Sequence, residues 1–182
     1  MNADGFGKLY WGFLFIMLDF RIQGVDILPD LIGYIFFAVG FSMLAANSLN
    51  FKKAENFNIP MIILSVFSIY EKPNQSGGVQ FGPFGLLGIP ISIASLVLSL
   101  MVVYYLFMGI KDMAQMQGQL DIYEEADNRW KQFLYLQLAV LLAFVLIFIP
   151  PLAIVYIIVM LIISIVLTVI ITQFMKKCGE SL

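Results

Sequence analysis

Asp19, Gln23, Asp26 and Asp30 are the residues of this chain whose types and spacing could do chemistry. On a continuous helix, at about 100° per residue, the four side chains fall within roughly 60° of one another. Carboxylates and an amide gathered on one stripe offer oxygen ligands to a hard cation, or a relay for protons. Arg21 lies among them but points the other way, since residues two apart on a helix do not share a face. All five belong to Asp19-Phe-Arg-Ile-Gln-Gly-Val-Asp-Ile-Leu-Pro-Asp30, a knot of charge between two strongly apolar stretches. Charge persists beside hydrocarbon where it lines a cavity, pairs with other charge, or reaches the headgroup boundary.

Two arrangements of this segment are open. In the first, the helix continues to Leu28, Gly12 and Phe15 extend the stripe inward, and Asp19 is the deepest acid. A central aspartate costs about 2.5 to 3.5 kcal/mol on insertion scales, so it needs a partner, water or a proton. In the second, the helix stops near Phe20 and Arg21 pairs with Asp19 or Asp26 across a bent backbone. The knot is then a structural clasp, with Asp30 capping the next helix, where a carboxylate suits the dipole. Gly24 and Pro29 favour the break.

Positioning these residues falls to a very apolar chain. Its 182 residues fit one domain, 1–182. Hydrophobic residues make up 61% and charged residues 12%, against about half and about a quarter in soluble domains. Such a chain cannot cover itself with polar surface, so lipid is its expected solvent. A spanning helix needs about 20 mostly apolar residues. The pattern predicts an all-α polytopic bundle of six transmembrane helices, near 9–28, 31–49, 57–70, 84–110, 133–149 and 152–174. The first and third are the weakest, and Pro150-Pro151 reads as a tight turn opening the last. Leu28-Pro29, Ile89-Pro90 and Ile149-Pro150 each precede the second helix of a pair, which suggests three hairpins.

The basic residues support that count. With the N-terminus cytoplasmic, Lys8, Lys52, Lys53, Lys111, Arg129, Lys131, Lys176 and Lys177 fall inside, and only Arg21 and Lys72 outside. Positive charge follows that rule in short loops, so both termini are expected in the cytoplasm. Between Lys111 and Lys131 the spacing of Met113, Met116, Leu120 and Tyr123 predicts a short helix on the membrane surface.

Gly85, Gly88, Ser92, Ser95 and Ser99 share one face of the fourth span. Small residues let helices approach closely in lipid, so this is a packing face or, alternatively, the wall of a polar pathway. Gly33, Gly40 and Asn47 mark a similar face on the second span, and Ser164, Thr168 and Thr172 a polar line on the sixth.

Several function classes drop out. Histidine is absent, which removes the usual proton shuttle and commonest metal ligand. Cys178 is the only cysteine, so thiolate clusters and intrachain disulfides are excluded; its position beside the last span would suit palmitoylation. The net charge of −2 offers no basic face for nucleic acid. No cofactor is implied and the identity of any metal is open. Three classes remain: a transport-related protein with a cation or proton site at the acidic stripe, an accessory or structural membrane protein, and a membrane-embedded, metal-dependent enzyme acting on lipid headgroups. The enzyme is disfavoured. Asp26 and Asp30 are four apart, but the run of paired acids with Gly, Ala and Arg that marks alcohol phosphatidyltransferases is missing. The expected partners are the lipid bilayer and, for an accessory role, another membrane protein or a second copy.

The stretch from Asp19 to Tyr34 resembles one in small bacterial multi-pass membrane proteins that remain functionally uncharacterised. The resemblance covers under a tenth of the chain. It implies a bacterial inner-membrane location and no activity, so it transfers no site residues.

Overall fold

The computed structural model describes residues 2–17, 21–22, 25–26, 30–68, 88–146 and 149–182. Among these lie six helices: α1 (Asn2–Met17), α2 (Asp30–Leu44), α3 (Leu49–Ser68), α4 (Gly88–Met116), α5 (Leu120–Leu146) and α6 (Pro150–Ser181). Between α1 and α2, β1 (Arg21–Ile22) and β2 (Val25–Asp26) form a two-residue antiparallel pair. The protein is all-α apart from that pair. On length and composition two described stretches can cross a bilayer, Pro90–Met116 and Pro151–Ser181; Asp30–Leu44 is apolar but shorter.

The first helix differs from the stretch expected over 9–28. It ends at Met17, and strand pairing stands where a helical stripe of acids was expected. The composition accounts for it: Gly24 and Pro29 both oppose helix continuation. The surface helix expected between Lys111 and Lys131 is also absent. Its residues are the last turns of α4 and the first of α5. Gly118, at φ 69°, ends α4. The Gln119 N–H then bonds the Ala114 carbonyl at 2.8 Å and the Gly118 N–H bonds that of Gln115 at 3.3 Å, the Schellman arrangement that only a left-handed residue completes. At the other end of α5 the prolines act as expected: Pro150 and Pro151 occupy the first positions of α6, where a missing N–H costs nothing.

Each helix packs antiparallel on the next, and α6 returns to pack on α1, closing a ring. Phenylalanines fill the centre. Phe13 of α1 meets Phe37 of α2 edge-on at 5.0 Å and Phe107 of α4 at 6.2 Å, and Phe107 lies 6.3 Å from Phe174 of α6. All four are buried. The tightest backbone approach joins α1 and α2, where Gly5 and Gly12 face Gly40 and Gly33. A Cβ on Gly33 would lie 2.9 Å from the Gly12 carbonyl oxygen, and one on Gly40 would lie 3.0 Å from that of Gly5. Without Cβ atoms the helices close to backbone contact, the approach that small residues permit.

One end of the ring gathers both ends of the described chain and two of its turns. Asn2 donates to the Leu182 backbone oxygen at 2.9 Å, Gln117 donates to the same oxygen at 2.9 Å, and Asn47 donates to the Asn2 side-chain oxygen at 3.0 Å. The eight basic residues assigned to the inside all lie on the helical segments leading to this end.

Candidate functional site

Of the five residues in the expected charged cluster, Asp19 and Gln23 lie outside the described residues. The strand register sets Arg21 opposite Asp26, the pairing a clasp requires and a continuous helix forbids. Asp30 opens α2, in the first turn, where its carboxylate complements the helix dipole. Gly85 is also outside the described residues, and Gly88 is the first residue of α4. Further along α4, Ser92 is exposed, while Ser95 and Ser99 are partly covered.

The structure joins members of the two expected groups through Tyr34, a residue that neither contained. Tyr34 is one turn after Asp30 and is buried, and its hydroxyl is hydrogen-bonded with the Ser99 side chain of α4. The Asp30 charge acts on the same hydroxyl. Behind Tyr34, Asn58 of α3 donates from Nδ2 to the Tyr34 backbone oxygen at 2.8 Å. Asn58 is completely buried, and its Oδ1 has no hydrogen-bond partner among the described residues. A buried amide oxygen left unpaired costs about 1 to 3 kcal/mol. Tyr34 of α2 is thus met by a polar side chain of α3 at its backbone oxygen and by one of α4 at its hydroxyl.

Helix geometry accounts for Asn58. Phe51, Ala54, Asn58, Met61 and Ser65 are the buried positions of α3, spaced three and four apart along one stripe. Asn58 therefore faces the bundle centre. Its signal was legible as the one amide on a mostly apolar inner stripe, two residues before Pro60; a search for charge passes over it.

A second polar zone occupies the end where the termini meet. Ser48, the residue before α3, donates to the Asp112 carboxylate, and Asn50 donates to the same oxygen at 2.8 Å. The Asn50 N–H bonds the Ser48 hydroxyl at 3.0 Å, so Ser48 caps α3. Lys111 and Lys131 both pair with Asp127 at 2.7 Å. Arg129 and Lys177 both pair with Glu125 at 2.7 Å, which ties α5 to α6. Partial burial alone would raise the Glu125 carboxyl, but the hydrogen bonds from Lys177 and Arg129 outweigh it and hold it below the usual carboxylate range. Hydrogen bonds from Lys111 and Lys131 do the same for Asp127. Glu125 and Asp127 are each paired with two cations and Asp112 is held by two neutral donors, an arrangement that fastens the helices together.

Cys178 is fully buried, which withdraws it from the palmitoylation its sequence position suggested. Ser164 donates to the Met17 carbonyl at 3.4 Å, and Thr168 and Thr172 bond carbonyls one turn back. The sixth helix's polar line is therefore spent on its own backbone and on α1. Among the described residues no group of three or more acidic, Cys or His side chains is placed to hold a metal. The chain matches no family model, no curated protein and no solved structure.

Proposed function

We propose that the chain is an integral protein of a bacterial inner membrane, crossing it six times with both termini cytoplasmic, and that its role is accessory or structural. The observation that carries this reading is the plugged ring: among the described residues Phe13, Phe37, Phe107 and Phe174 meet across the centre, so buried aromatic rings occupy it. The exposed surface agrees with lipid or a partner helix as solvent. Along α6, Ile154, Val155, Ile158, Leu161, Ile162 and Val166 are exposed and form one continuous apolar face.

A carrier with a cation or proton site is the second reading. It is favoured by the Asn58 Oδ1, which has no hydrogen-bond partner among the described residues, and by the meeting of the Tyr34 hydroxyl with Ser99. An enzyme on lipid headgroups finds no support in the arrangement of the described residues.

One experiment addresses topology and another activity. In a Cys178→Ser background, single cysteines at Gln23, Gln75 and Gln119 are labelled from either side of sealed vesicles. The six-span reading requires Gln23 and Gln75 on the periplasmic side and Gln119 in the cytoplasm. Labelling of Gln23 and Gln119 from the same side refutes it. Proteoliposomes then distinguish the two roles. An accessory protein passes protons and sodium no faster than protein-free vesicles. Flux that disappears in Asp19→Asn or Asp30→Asn would establish the carrier.

A further inference from the structure

Between α1 and α6, on the outer surface near the end where the termini meet, lies a groove of about 340 Å³ bordered by Gly7, Tyr10, Trp11, Met175, Lys176 and Glu180. We propose that it seats a phospholipid with a phosphoethanolamine headgroup. The inference rests on the reading of α6 as a membrane span.

The groove straddles the boundary that the sequence of α6 defines. Up to Met175 the helix carries no charge after Pro150; Lys176 is its first. On the apolar side stand Trp11, half exposed, and Tyr10, packed edge-on against it at 5.5 Å. Amphipathic rings take that level in a bilayer. On the polar side the wall falls away at Gly7, whereas Gly179 packs against Ala3 and Phe6 of α1. A Cβ on Gly7 would meet nothing within 4 Å, so the groove is open beside it.

Two charges, Lys176 and Glu180, face this opening. The ion pairs of this end are Lys111 and Lys131 with Asp127, and Arg129 and Lys177 with Glu125. Among the described residues Lys176 and Glu180 take part in none, although they are four apart on one helix and so on one face. Their order along the axis is informative. Glu180 stands about 6 Å further from the apolar segment than Lys176, at 1.5 Å per residue. A phosphoethanolamine headgroup has the same polarity: its phosphate joins the glycerol near the hydrocarbon, and its primary ammonium lies two carbons further out. Phosphate on Lys176 and ammonium on Glu180 would complete both charges, each by a charge-assisted hydrogen bond. Phosphatidylglycerol satisfies Lys176 alone. Phosphatidylcholine has no N–H to give Glu180.

The test is native mass spectrometry of the full chain in detergent, offered phosphatidylethanolamine, phosphatidylglycerol or phosphatidylcholine at equal concentration. Retention of phosphatidylethanolamine should exceed that of each other lipid by about tenfold, the effect of one charged hydrogen bond. Glu180→Gln should erase the preference over phosphatidylglycerol, Lys176→Gln should lower retention of both, and Gly7→Leu should abolish binding by filling the opening. Protection of Cys178 from maleimide confirms that each variant is folded. Equal retention of the three lipids, or a preference that survives Glu180→Gln, overturns the proposal. Failure here with correct labelling topology leaves the membrane reading standing, whereas a wrong topology removes both.

Discussion

Replacing Gly12 with alanine probes the backbone contact between α1 and α2 directly. The new methyl would lie 2.3 Å from Phe37 Cδ1, 2.6 Å from Cε1 and 3.1 Å from the Gly33 carbonyl oxygen. The first distance is over an ångström inside ordinary contact. Phe37 cannot swing aside, because Phe13, Tyr34 and Phe41 hold its ring at centroid distances of 5.0, 6.3 and 5.4 Å. The helices must separate or a rotamer must be strained, a cost of about 1 to 3 kcal/mol for overpacking. The control is the same substitution five residues earlier. At Gly7 an added Cβ meets nothing within 4 Å, so only the helix propensity changes, gaining about 0.5 to 1 kcal/mol. At about 2 to 4 °C per kcal/mol for a chain of this size, Gly12→Ala should melt roughly 2 to 12 °C lower and Gly7→Ala roughly 1 to 4 °C higher. Cys178 supplies the probe: as the only cysteine, and fully buried, it reacts with a thiol-specific fluorophore as the bundle opens. Equal melting of Gly12→Ala and the native chain, or a shift of the same sign in both variants, would refute the packing argument.

The register of the β1–β2 pair predicts that Arg21→Asp and Asp26→Arg each destabilise the protein, and that the double exchange recovers about 0.2 to 1 kcal/mol of coupling, measured as a double-mutant cycle; zero coupling removes the clasp. Glu125 and Asp127 are charged more readily in the folded protein than in the unfolded chain. The stability they contribute is therefore complete above the ordinary carboxylate range and is lost as pH falls through their depressed folded values. A melting curve for Glu125→Gln should accordingly depend less on pH between about 5 and 3 than the native curve does; parallel curves contradict the assignment. Asn58→Asp places a carboxylate in a fully buried position facing the Tyr34 carbonyl, and should lower the melting temperature more than Asn58→Leu, which loses one hydrogen bond but leaves no orphaned oxygen.

Hydropathy anticipated the six helices found among the described residues, because that signal is a sum over many residues. The ends of helices depend on a few residues and were harder to read. Asp19, Gln23, Asp26 and Asp30 recur at helical spacing, and that periodicity competed with Gly24 and Pro29 for the same segment. At Arg21–Asp26 the backbone follows the breakers: α1 stops at Met17 and a strand pair begins at Arg21. At Gly118 the outcome was similar. Met113, Met116, Leu120 and Tyr123 hold a helical rhythm through the glycine, yet one residue at positive φ splits them between two helices. Local backbone preference wins wherever the periodic stretch is too short for packing to outweigh it.

The interior polar contacts were illegible for a different reason. Sequence periodicity states which residues share a face of one helix. It does not state which helices face each other across a ring, so Tyr34, which meets Ser99 of α4 and Asn58 of α3, could not be singled out. Neutral residues make this worse. A charge in an apolar segment announces its cost, whereas Asn58 differs from its neighbours by one amide and becomes costly only because α2 and α4 close over it. The residues that decide between an inert bundle and a carrier are therefore the uncharged ones at helix contacts, and their chemistry emerges only with the tertiary fold. If Asn58 Oδ1 accepts a hydrogen bond only from a fixed water, Asn58→Leu will leave flux and partner binding untouched while changing stability. If it serves a moving ion, the same substitution will stop flux while the bundle stays folded, and that separation of stability from function is what distinguishes the two roles.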